Sequence, residues 1–487
     1  MLNQRMTPLY SKVIEHAREN PHSFHVPGHK WGRVFPQFAK ETYESVLRLD
    51  ATEIAGLDDL HDAQFVIKEA QQLLANVYGA NTSYFLVGGS TVGNLAMLCS
   101  VCSKNDIILV QRDSHKSVIN GIQLAQAEAI YLAPDYDEKT GLSIGIGLAT
   151  VKEALNSYPN AKAIFLTNPS YYGVTIDLRE IIEYAHTLGM PVLVDEAHGA
   201  HFGVGDGFPR SAISQGADLV VQSAHKTLPA MTMGSYLHFN SSFVSKKTIE
   251  FYLQTLQSSS PSYPIMASLD LARHYMANLK EDEVLSILES SRKFRAQLKE
   301  IPQITVVELD ETVNSTVDPL KVTIRTKCEL TGIDIQGLLE DKGLFVELAN
   351  EEYLLLVLPL APFHQSEQIV SLIRSVLKPY KPIDRKIGEK KIGIQKISSF
   401  PFKKETVDQC KIEYIPIEQA VGYFIAEQII PYPPGVPLLI PGEIITNETI
   451  ETLLKLLEAG AKFQGHTNIK QTGLKVFTID DRKEDEK

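Results

Sequence analysis

Cysteine, tryptophan and long apolar runs are scarce in this sequence. Its 487 residues include four cysteines and one tryptophan. The cysteines are scattered apart from the pair Cys99 and Cys102, so we expect buried, reduced thiols in a cytoplasmic protein, with a redox or metal role for the pair as the lesser alternative. No run reaches the roughly 18 apolar residues of a membrane helix, and residues 1–10 lack the apolar core of an export signal. Neither membrane insertion nor export is indicated.

A surplus of positive charge is also absent. There are 47 Lys and Arg against 59 Asp and Glu, and the formal net charge is -12. Non-specific nucleic-acid binding depends on clustered cations that release counterions from phosphates, so we do not expect a nucleic-acid partner. The content of 44% hydrophobic and 22% charged residues is typical of globular proteins, and the length suits two or three domains.

Short β-branched runs alternate with amphipathic stretches between about residues 60 and 270. This alternation predicts a doubly wound α/β domain with a mostly parallel sheet and crossover helices. The predicted strands are 83–87, 107–110, 129–132, 163–167, 191–194 and 219–222. The predicted helices include 66–78, 93–102, 117–126, 150–157 and 178–188.

The rest of the chain suggests three further parts. We expect an N-terminal arm (1–60), the large α/β domain (61–270), a smaller α+β domain (271–385) and a C-terminal domain (386–487). The smaller domain should contain strands 304–309, 321–325 and 353–358. Residues 378–391 are the predicted linker, 431–437 form a rigid Pro-rich turn, and 480–487 should be disordered.

Polar residues follow nearly every predicted strand, where ligands bind in open parallel sheets. Ser90 and Thr91 stand in the glycine-rich turn 88–94, which opens a helix and suits a phosphate, although an ordinary strand-to-helix turn has the same pattern. His115 follows the second strand, where an imidazole can lie against an aromatic ligand or be structural. Asn168 precedes a proline, and turn chemistry alone accounts for both.

Two clusters stand at the ends of neighbouring strands. Residues 192–201 bring Asp195, Glu196, His198 and His201 to the end of a buried strand, where unpaired charges are costly. Residue types alone would allow a zinc hydrolase that uses Asp195, His198 and His201. The second cluster, 222–227, contains Lys226, which is a poor neighbour for a cation. We therefore predict no metal.

One cofactor explains both clusters. Pyridoxal phosphate needs a lysine amine for a Schiff base, a carboxylate that keeps its ring nitrogen protonated, and anchors for its phosphate. Lys226 and Asp195 provide the first two, and the anchors are Ser90, Thr91, Ser223 and His225. Aminotransferases and aldolases use the same lysine and aspartate, and a non-catalytic binding protein of the same fold is a further alternative.

Motifs along nearly the whole chain resemble those of the Orn/Lys/Arg decarboxylase family of fold-type-I pyridoxal-phosphate enzymes, most closely its short bacterial arginine-decarboxylase-type members. The motifs are 24–30, 56–61, 195–199, 223–226, 258–263 and 431–437. The resemblance implies a mostly parallel seven-stranded sheet in the large domain, a smaller α+β domain and a C-terminal α/β domain.

The resemblance also implies residue roles. Lys226 would carry the cofactor, Asp195 would contact the ring nitrogen, His115 would stack on the ring, and His198 would lie beside the reacting carboxylate. The remaining cofactor contacts would be Ser90, Thr91, Asn168, Ser223, His225 and, from a neighbouring subunit, Ser259. A homodimer with shared active sites follows, possibly within a larger assembly. Large acid-inducible relatives carry an additional N-terminal domain, so we expect a biosynthetic, non-decameric enzyme.

The expected reaction is decarboxylation of a basic amino acid, with arginine giving agmatine for polyamine biosynthesis as the preferred case. Lysine giving cadaverine and ornithine giving putrescine are the alternatives. A distal guanidinium or ammonium group needs a carboxylate partner in the pocket. The candidates, each of which is equally compatible with a solvated surface, are Glu53, Asp58, Asp59, Glu413 and Glu427.

Overall fold

The computed structural model describes residues 2–309, 315–383, 396–399, 410–432, 437–458, 460–463, 465 and 468–478. Within these residues, no helix is long and apolar enough to cross a membrane. The predicted disordered tail 480–487 lies outside the described residues, as do parts of the predicted linker 378–391 and of the Pro-rich turn 431–437.

The N-terminal arm contains helices α1 (Pro8–Arg18) and α2 (Gln37–Leu49) and a 3-10 turn (Leu60–Asp62). A buried ion pair attaches α1 to the body of the protein. Arg273 donates to Asp270 Oδ1 at 2.6 Å, Asp270 Oδ2 accepts from the backbone N–H of Leu9 at 3.1 Å, and both charged side chains are fully buried. Arg273 also donates to the carbonyl of Gln4 at 2.7 Å. The arm is therefore fixed by a charge pair that has no access to water.

The following segment alternates strands and helices, as the sequence predicts. Its helices are α3 (Val66–Tyr78), α4 (Gly89–Val101), α5 (Lys116–Ala125), α6 (Leu148–Ser157), α7 (Arg179–Thr187), α8 (Ala224–Thr227), α9 (Lys246–Leu256) and α10 (Tyr263–Ala277). Its strands are β1 (Thr82–Leu86), β2 (Ile107–Gln111), β3 (Glu128–Leu132), β4 (Asp135–Tyr136), β5 (Ser143–Gly145), β6 (Ile164–Thr167), β7 (Val174–Ile176), β8 (Val192–Asp195), β9 (Leu219–Gln222) and β10 (Ser235–Phe239).

The central sheet has eight strands in the order β1-β10-β9-β8-β6-β2-β3-β16. The five strands from β9 to β3 run parallel, and β10 is antiparallel to both of its neighbours. Seven strands come from residues 82–239. The eighth, β16 (Ile397–Ser399), comes from near the C-terminus and pairs antiparallel with β3. The predicted α/β class is confirmed, and the sheet has one strand more than the expected seven.

The remaining elements form smaller sheets. Helices α11 (Glu281–Lys299), α12 (Gly332–Glu340) and α13 (Ser366–Leu377) accompany β11 (Ile304–Val306), β12 (Ser315–Val317), β13 (Lys321–Thr326), β14 (Leu348–Ala349) and β15 (Tyr353–Val357). Strands β11, β13, β15 and β14 form an antiparallel sheet in that order, while β12 pairs with β7 of the preceding segment. This pairing joins the two parts of the chain close to the end of β6.

The C-terminal part contains α14 (Asn447–Glu458), α15 (Ile469–Thr472), β17 (Lys411–Ile415), β18 (Phe424–Ile425), β19 (Pro431–Tyr432), β20 (Lys462–Phe463) and β21 (Leu474–Thr478). Strand β21 lies between β17 and β18, and the apolar side chains of this part form a separate core. Arg112 connects it to the central sheet, since its guanidinium donates to Glu443 Oε1 at 2.6 Å and to the carbonyl of Pro437 at 2.9 Å.

Candidate active site

A cavity of about 600 Å³ opens at the carboxyl ends of the parallel strands. This is the edge at which open α/β sheets bind their ligands. Its lining includes residues from the turns after β1, β2, β6, β8 and β9 and from the segment around β14. Among them are Ser90, Thr91, Asp113, His115, Tyr171, Asp195, His198, Ser223, His225, Lys226 and Glu347. The structure thus brings together eight of the ten predicted site residues.

A chain of hydrogen bonds holds the carboxylate of Asp195 at the end of β8. Asn94 Nδ2 donates to Asp195 Oδ2 at 2.7 Å, and the backbone N–H of Ala197 donates to Oδ1 at 3.0 Å. Asn94 also donates to Ser117 Oγ at 2.9 Å, which leaves the Ser117 hydroxyl to donate to His115 Nδ1 at 2.8 Å. One network of hydrogen bonds therefore orients both the Asp195 carboxylate and the His115 ring. Fixed orientations of this kind are needed if the carboxylate is to contact the ring nitrogen of a ligand and the imidazole is to lie on the face of that ligand's ring.

Lys226 follows β9, the neighbour of β8. The open cavity leaves its side chain accessible to solvent, but its Nζ lies 3.0 Å from His198 Nε2 on the cavity wall. Desolvation of the amine lowers the pKa of Lys226, although Asp195 and Glu347 oppose this. A lower pKa leaves more of the amine neutral, and the neutral amine is the form that attacks an aldehyde.

His198 lies between two lysines. Its Nδ1 is 3.1 Å from the Nζ of Lys321, a residue that begins β13 and is 1% exposed. Burial, followed by the charges of Lys226 and Lys321, holds the pKa of His198 well below its ordinary value. The imidazole is therefore neutral at physiological pH, with one nitrogen as a donor and the other as an acceptor.

The predicted phosphate anchors lie together at the start of α4 and the end of β9. Ser223 Oγ donates to Ser90 Oγ at 2.9 Å, and Thr91 follows in the first turn of α4. A Cβ on Gly93 would lie 2.3 Å from Val221 Cγ2, so glycine allows the helix to pack directly on β9. A helix N-terminus with two hydroxyls beside it is a suitable phosphate site.

His225 completes this cradle. Its Nδ1 lies 3.1 Å from the carbonyl oxygen of Gly234 and so carries a proton, which leaves Nε2 as an acceptor in the neutral ring. Burial and Lys226 lower the pKa of His225, and the bond to Gly234 opposes this. A phosphate dianion would raise that pKa, because it favours the form with protons on both nitrogens.

The residues fit pyridoxal phosphate. A lysine amine, a carboxylate held by two donors, an imidazole beside it and a hydroxyl-lined helix N-terminus all face one cavity of suitable size. The amine, the carboxylate and the hydroxyl-lined helix N-terminus are the three kinds of group that the aldehyde, the ring nitrogen and the phosphate of the cofactor require.

Two predicted contacts are not brought to the cavity. The Asn168 side chain exchanges hydrogen bonds with the backbone of Ile176, because Oδ1 accepts from its N–H at 3.1 Å and Nδ2 donates to its carbonyl at 3.4 Å. Asn168 therefore fixes the turn between β6 and β7, and its neighbours Thr167 and Pro169 line the cavity. Ser259 is exposed and lies next to Ser258, whose carbonyl oxygen is 2.8 Å from His61 Nε2. It does not line its own chain's cavity.

The five carboxylates proposed for the distal end of the substrate do not line the cavity either. Asp58 illustrates the reason, since its carboxylate accepts from the backbone N–H groups of Gln64, Phe65 and Ile67 at 3.0, 2.9 and 2.9 Å. It therefore anchors the start of α3. The other four are Glu53, Asp59, Glu413 and Glu427.

The acids that line the cavity besides Asp195 are Asp113 and Glu347. Asp113 accepts from Gln111 Nε2 and Ser143 Oγ, each at 2.8 Å, so both of its oxygens are occupied. Glu347 accepts from the Tyr171 hydroxyl at 2.6 Å and is exposed at the cavity wall. Of the two acids, Glu347 is the one with capacity for a cationic ligand.

The zinc hypothesis does not match the geometry. His201 is fully buried, and its Nε2 donates to Asp318 Oδ1 at 3.0 Å. Glu196 lies outside the cavity and accepts from Ser211, Ala212 and Gln222, and burial raises its pKa to about 8. Across the described ranges, no three His, Cys, Asp or Glu residues are arranged to hold a metal ion.

Sequence reasoning gave no role to Asn94, Lys321 or Glu347. Asn94 stands at the end of the glycine-rich turn 88–94, directly before the apolar run 95–99, and an amide at the start of such a run is the available signal. Lys321 and Glu347 belong to a part of the chain more than a hundred residues from His198 and Asp195. No spacing rule links residues so far apart.

Comparison with known proteins agrees with this geometry. Residues 7–366 match the model of the Orn/Lys/Arg decarboxylase major domain, and residues 402–478 match the model of the C-terminal domain of the same family. The chain is 48% identical to the uncharacterized protein YaaO of Bacillus subtilis, over 98% of this chain and 99% of that protein.

An arginine decarboxylase of Bacillus anthracis is 35% identical, with 98% of each chain covered. Among solved structures, the lysine decarboxylase LdcF of Francisella novicida superposes with a TM-score of 0.78 at 19% identity, covering 98% of this chain and 81% of that one. At that identity, the structural likeness supports the fold.

Proposed function

Because this chain belongs to the Orn/Lys/Arg decarboxylase family, we propose that it converts L-arginine to agmatine and carbon dioxide. The chain is a pyridoxal-phosphate-dependent decarboxylase that acts on basic amino acids. The choice of arginine is supported by the relatives named arginine decarboxylase, which match nearly the full length of the chain. Production of agmatine would make the enzyme part of polyamine biosynthesis.

The observation that supports this chemistry most directly is the placement of Lys226 and Asp195 at the ends of adjacent parallel strands, in one cavity. When bound, the cofactor supplies an aldehyde that condenses with an amine and a ring that accepts the electron pair left by departing carbon dioxide. Lys226 is the amine to which it attaches. Asp195, held by Asn94, would keep the ring nitrogen protonated, and the His115 ring would lie against the ring face.

His198 and Lys226 are the groups that hold or move protons near the reacting carbon. Both face the cavity, and their nitrogens are 3.0 Å apart. Either can deliver the proton that replaces the carboxylate, since each lies within reach of the same point of the cavity. Ser90, Thr91, Ser223 and His225 would bind the phosphate of the cofactor.

The distal group of the substrate is bound by Glu347. Its carboxylate lines the same cavity as Lys226 and accepts a hydrogen bond from the Tyr171 hydroxyl. A planar guanidinium can bond a carboxylate through two N–H groups, whereas an ammonium group is a point charge. Glu347 with an additional wall of aromatic side chains, including Tyr136 and Tyr353, suits the larger and flatter group of arginine.

We also propose a homodimer in which Ser259 reaches the partner's phosphate site. Ser259 is exposed and lies outside its own cavity. Large apolar side chains of the arm are also exposed, including Phe24 at 97% and Phe38 at 94%, which is unusual for a surface that remains in water. The four free cysteines are consistent with a reducing, cytoplasmic location.

The test is to supply the holoenzyme with L-arginine, L-lysine and L-ornithine separately and to quantify carbon dioxide and the product amine. We expect agmatine to be formed with the highest kcat/KM. Cadaverine or putrescine as the main product would overturn the choice of substrate, and a keto acid without carbon dioxide would overturn the reaction.

The role of Lys226 is tested with Lys226→Ala. The variant should lose both the visible absorbance of the lysine-bound cofactor and the release of carbon dioxide. The matched control is Lys246→Ala, which removes an exposed lysine of α9 that pairs with Glu250 at 3.8 Å. A Lys226→Ala protein that keeps the absorbance and the activity would contradict the assignment.

A further inference from the structure

Lys321 occupies a position that a lysine rarely takes. Its side chain is 1% exposed, and its Nζ lies 3.1 Å from His198 Nδ1, on the side of the imidazole opposite Lys226. It does not line the cavity, so it acts from behind the histidine. The route of its side chain depends on Gly173, where a Cβ would lie 2.5 Å from Lys321 Cγ. Burying an ammonium group is costly unless neighbouring groups stabilise it, so the surroundings of Lys321 determine its protonation state.

The surrounding charges favour a protonated Lys321. Asp318 is fully buried, and its Oδ1 accepts from His201 Nε2 at 3.0 Å and from the backbone N–H of Leu320 at 2.9 Å. Its Oδ2 has no hydrogen-bond partner among the residues that the structure describes. Burial opposes ionisation of Asp318, but His201 and these donors outweigh it and hold the pKa below its ordinary value. A buried, ionised carboxylate close to Lys321 keeps the proton on the lysine.

Charged and titratable neighbours act on all three residues. Burial lowers the pKa of Lys321 to about 8. Asp318 and Glu347 raise this pKa, while Lys226 lowers it further, and Lys321 is mostly protonated at neutral pH. The groups that act on His198 are Lys226, Lys321, His115 and His225, and those that act on Lys226 are Asp195 and Glu347. None of these neighbours of His198 is a carboxylate, whose negative charge would favour the doubly protonated imidazole.

A neutral imidazole has two tautomers, and its two neighbours decide between them. An ammonium group has donors and no acceptor, so Lys321 requires the lone pair of His198 Nδ1. The proton of the imidazole is then on Nε2, which faces Lys226. We propose that Lys321 is a positioning residue that fixes His198 as the tautomer with its proton on Nε2, directed at Lys226 Nζ.

The consequence concerns the amine of Lys226. An N–H directed at Nζ can be accepted only by a lone pair, so the fixed tautomer favours the neutral amine and disfavours the ammonium form. Lys226 is thereby prepared to attack the aldehyde of the cofactor. The inference rests on the proposed roles of Lys226 and His198, and it adds that Lys321 determines which nitrogen of His198 carries the proton.

The test measures capture of pyridoxal phosphate by the apoprotein as a function of pH, with the rate of the absorbance change as the readout. In Lys321→Met, the midpoint of the profile should move to higher pH by about one unit, since His198 Nε2 can then accept from the Lys226 ammonium group. Lys321→Arg retains the donor and the charge and should restore most of the wild-type midpoint. An unmoved midpoint in Lys321→Met would overturn the proposal.

A second comparison separates the tautomer from the simple loss of a nearby charge. In a His198→Phe background, which has a ring without nitrogen, Lys321→Met should move the midpoint less than half as far. An equal shift in both backgrounds would mean that Lys321 acts through its field alone, and the proposal would be wrong.

If Lys321→Met does not fold, Asp318→Asn decides. This variant keeps Lys321 but removes the carboxylate that raises its pKa, so less of the lysine is protonated. The midpoint should then move in the same direction by a smaller amount. An unchanged midpoint would refute the inference. Failure of the proposed function has a different signature, because Lys226→Ala would then still capture the cofactor with the wild-type absorbance.

Discussion

Replacement of Glu347 by glutamine tests how the cavity recognises the distal end of the substrate. The change removes the charge, keeps the length of the side chain and leaves an oxygen that can accept from the Tyr171 hydroxyl. In the wild type, this hydroxyl is 2.6 Å from Glu347 Oε1. A hydrogen bond to a charged group contributes about 1.5–3 kcal/mol when it is shielded from water. Glu347 is exposed in the single chain, which reduces the expected loss to about 1–2 kcal/mol, or roughly 5- to 30-fold in kcat/KM.

The loss should be seen mainly in KM. Glu347 binds a group that does not change during the reaction, so it stabilises the bound substrate and the transition state equally. Steady-state kinetics with arginine should therefore show a raised KM and a nearly unchanged kcat. Citrulline has the shape of arginine without its charge. The ratio of kcat/KM for arginine to that for citrulline should therefore be smaller in Glu347→Gln than in the wild type.

Asp113→Asn is the matched control, because Asp113 lines the same cavity but its oxygens are occupied by Gln111 and Ser143. It should change the KM for arginine by less than about threefold. The reasoning is refuted if Glu347→Gln leaves the KM for arginine unchanged, or if Asp113→Asn has the larger effect.

Three other substitutions have defined outcomes. Asn94→Ala removes a donor from Asp195 and should weaken cofactor binding by roughly 10-fold, measured by titrating the apoprotein with pyridoxal phosphate. Asp270→Ala leaves the buried charge of Arg273 without its partner and should cost about 3–5 kcal/mol of stability, seen as a lower midpoint of urea unfolding. Asp58→Ala leaves three backbone N–H groups at the start of α3 without their acceptor and should cost about 1–3 kcal/mol, with no change in the KM for arginine.

The parallel part of the fold was predictable because its strands are short, largely buried runs of β-branched and apolar residues, and helices lie between most of them along the chain. The six predicted strands match β1, β2, β3, β6, β8 and β9 to within a residue or two, and helix α3 matches its prediction at both ends. Strand β10 was missed because it contains Ser235 and His238, which look like surface residues. His238 is buried because Ser83 and Gln222 on neighbouring strands bond to its two nitrogens, which only the folded sheet brings about.

The candidate site was predictable where its residues end strands, and not elsewhere. Asp195, Lys226, Ser90 and His115 each follow a strand, so the topology of a parallel sheet brings them together. Lys321 is the first residue of its strand and comes directly after Asp318, Pro319 and Leu320, a stretch whose Asp and Pro are typical of a turn. Its contact with His198 spans 123 residues of sequence, and it exists because β7 and β12 pair across the two parts of the chain.

The pairing of β16 with β3 has a consequence for biosynthesis of the chain. A strand at the border of a sheet offers its unpaired amides and carbonyls to any extended peptide, and this is a route to aggregation. Residues 128–132 leave the ribosome long before residues 397–399, which later shield them. Nascent chains, and products truncated before β16, therefore expose an unpaired strand edge that the finished molecule covers, so chaperone demand should be greatest before residues 397–399 have been synthesised.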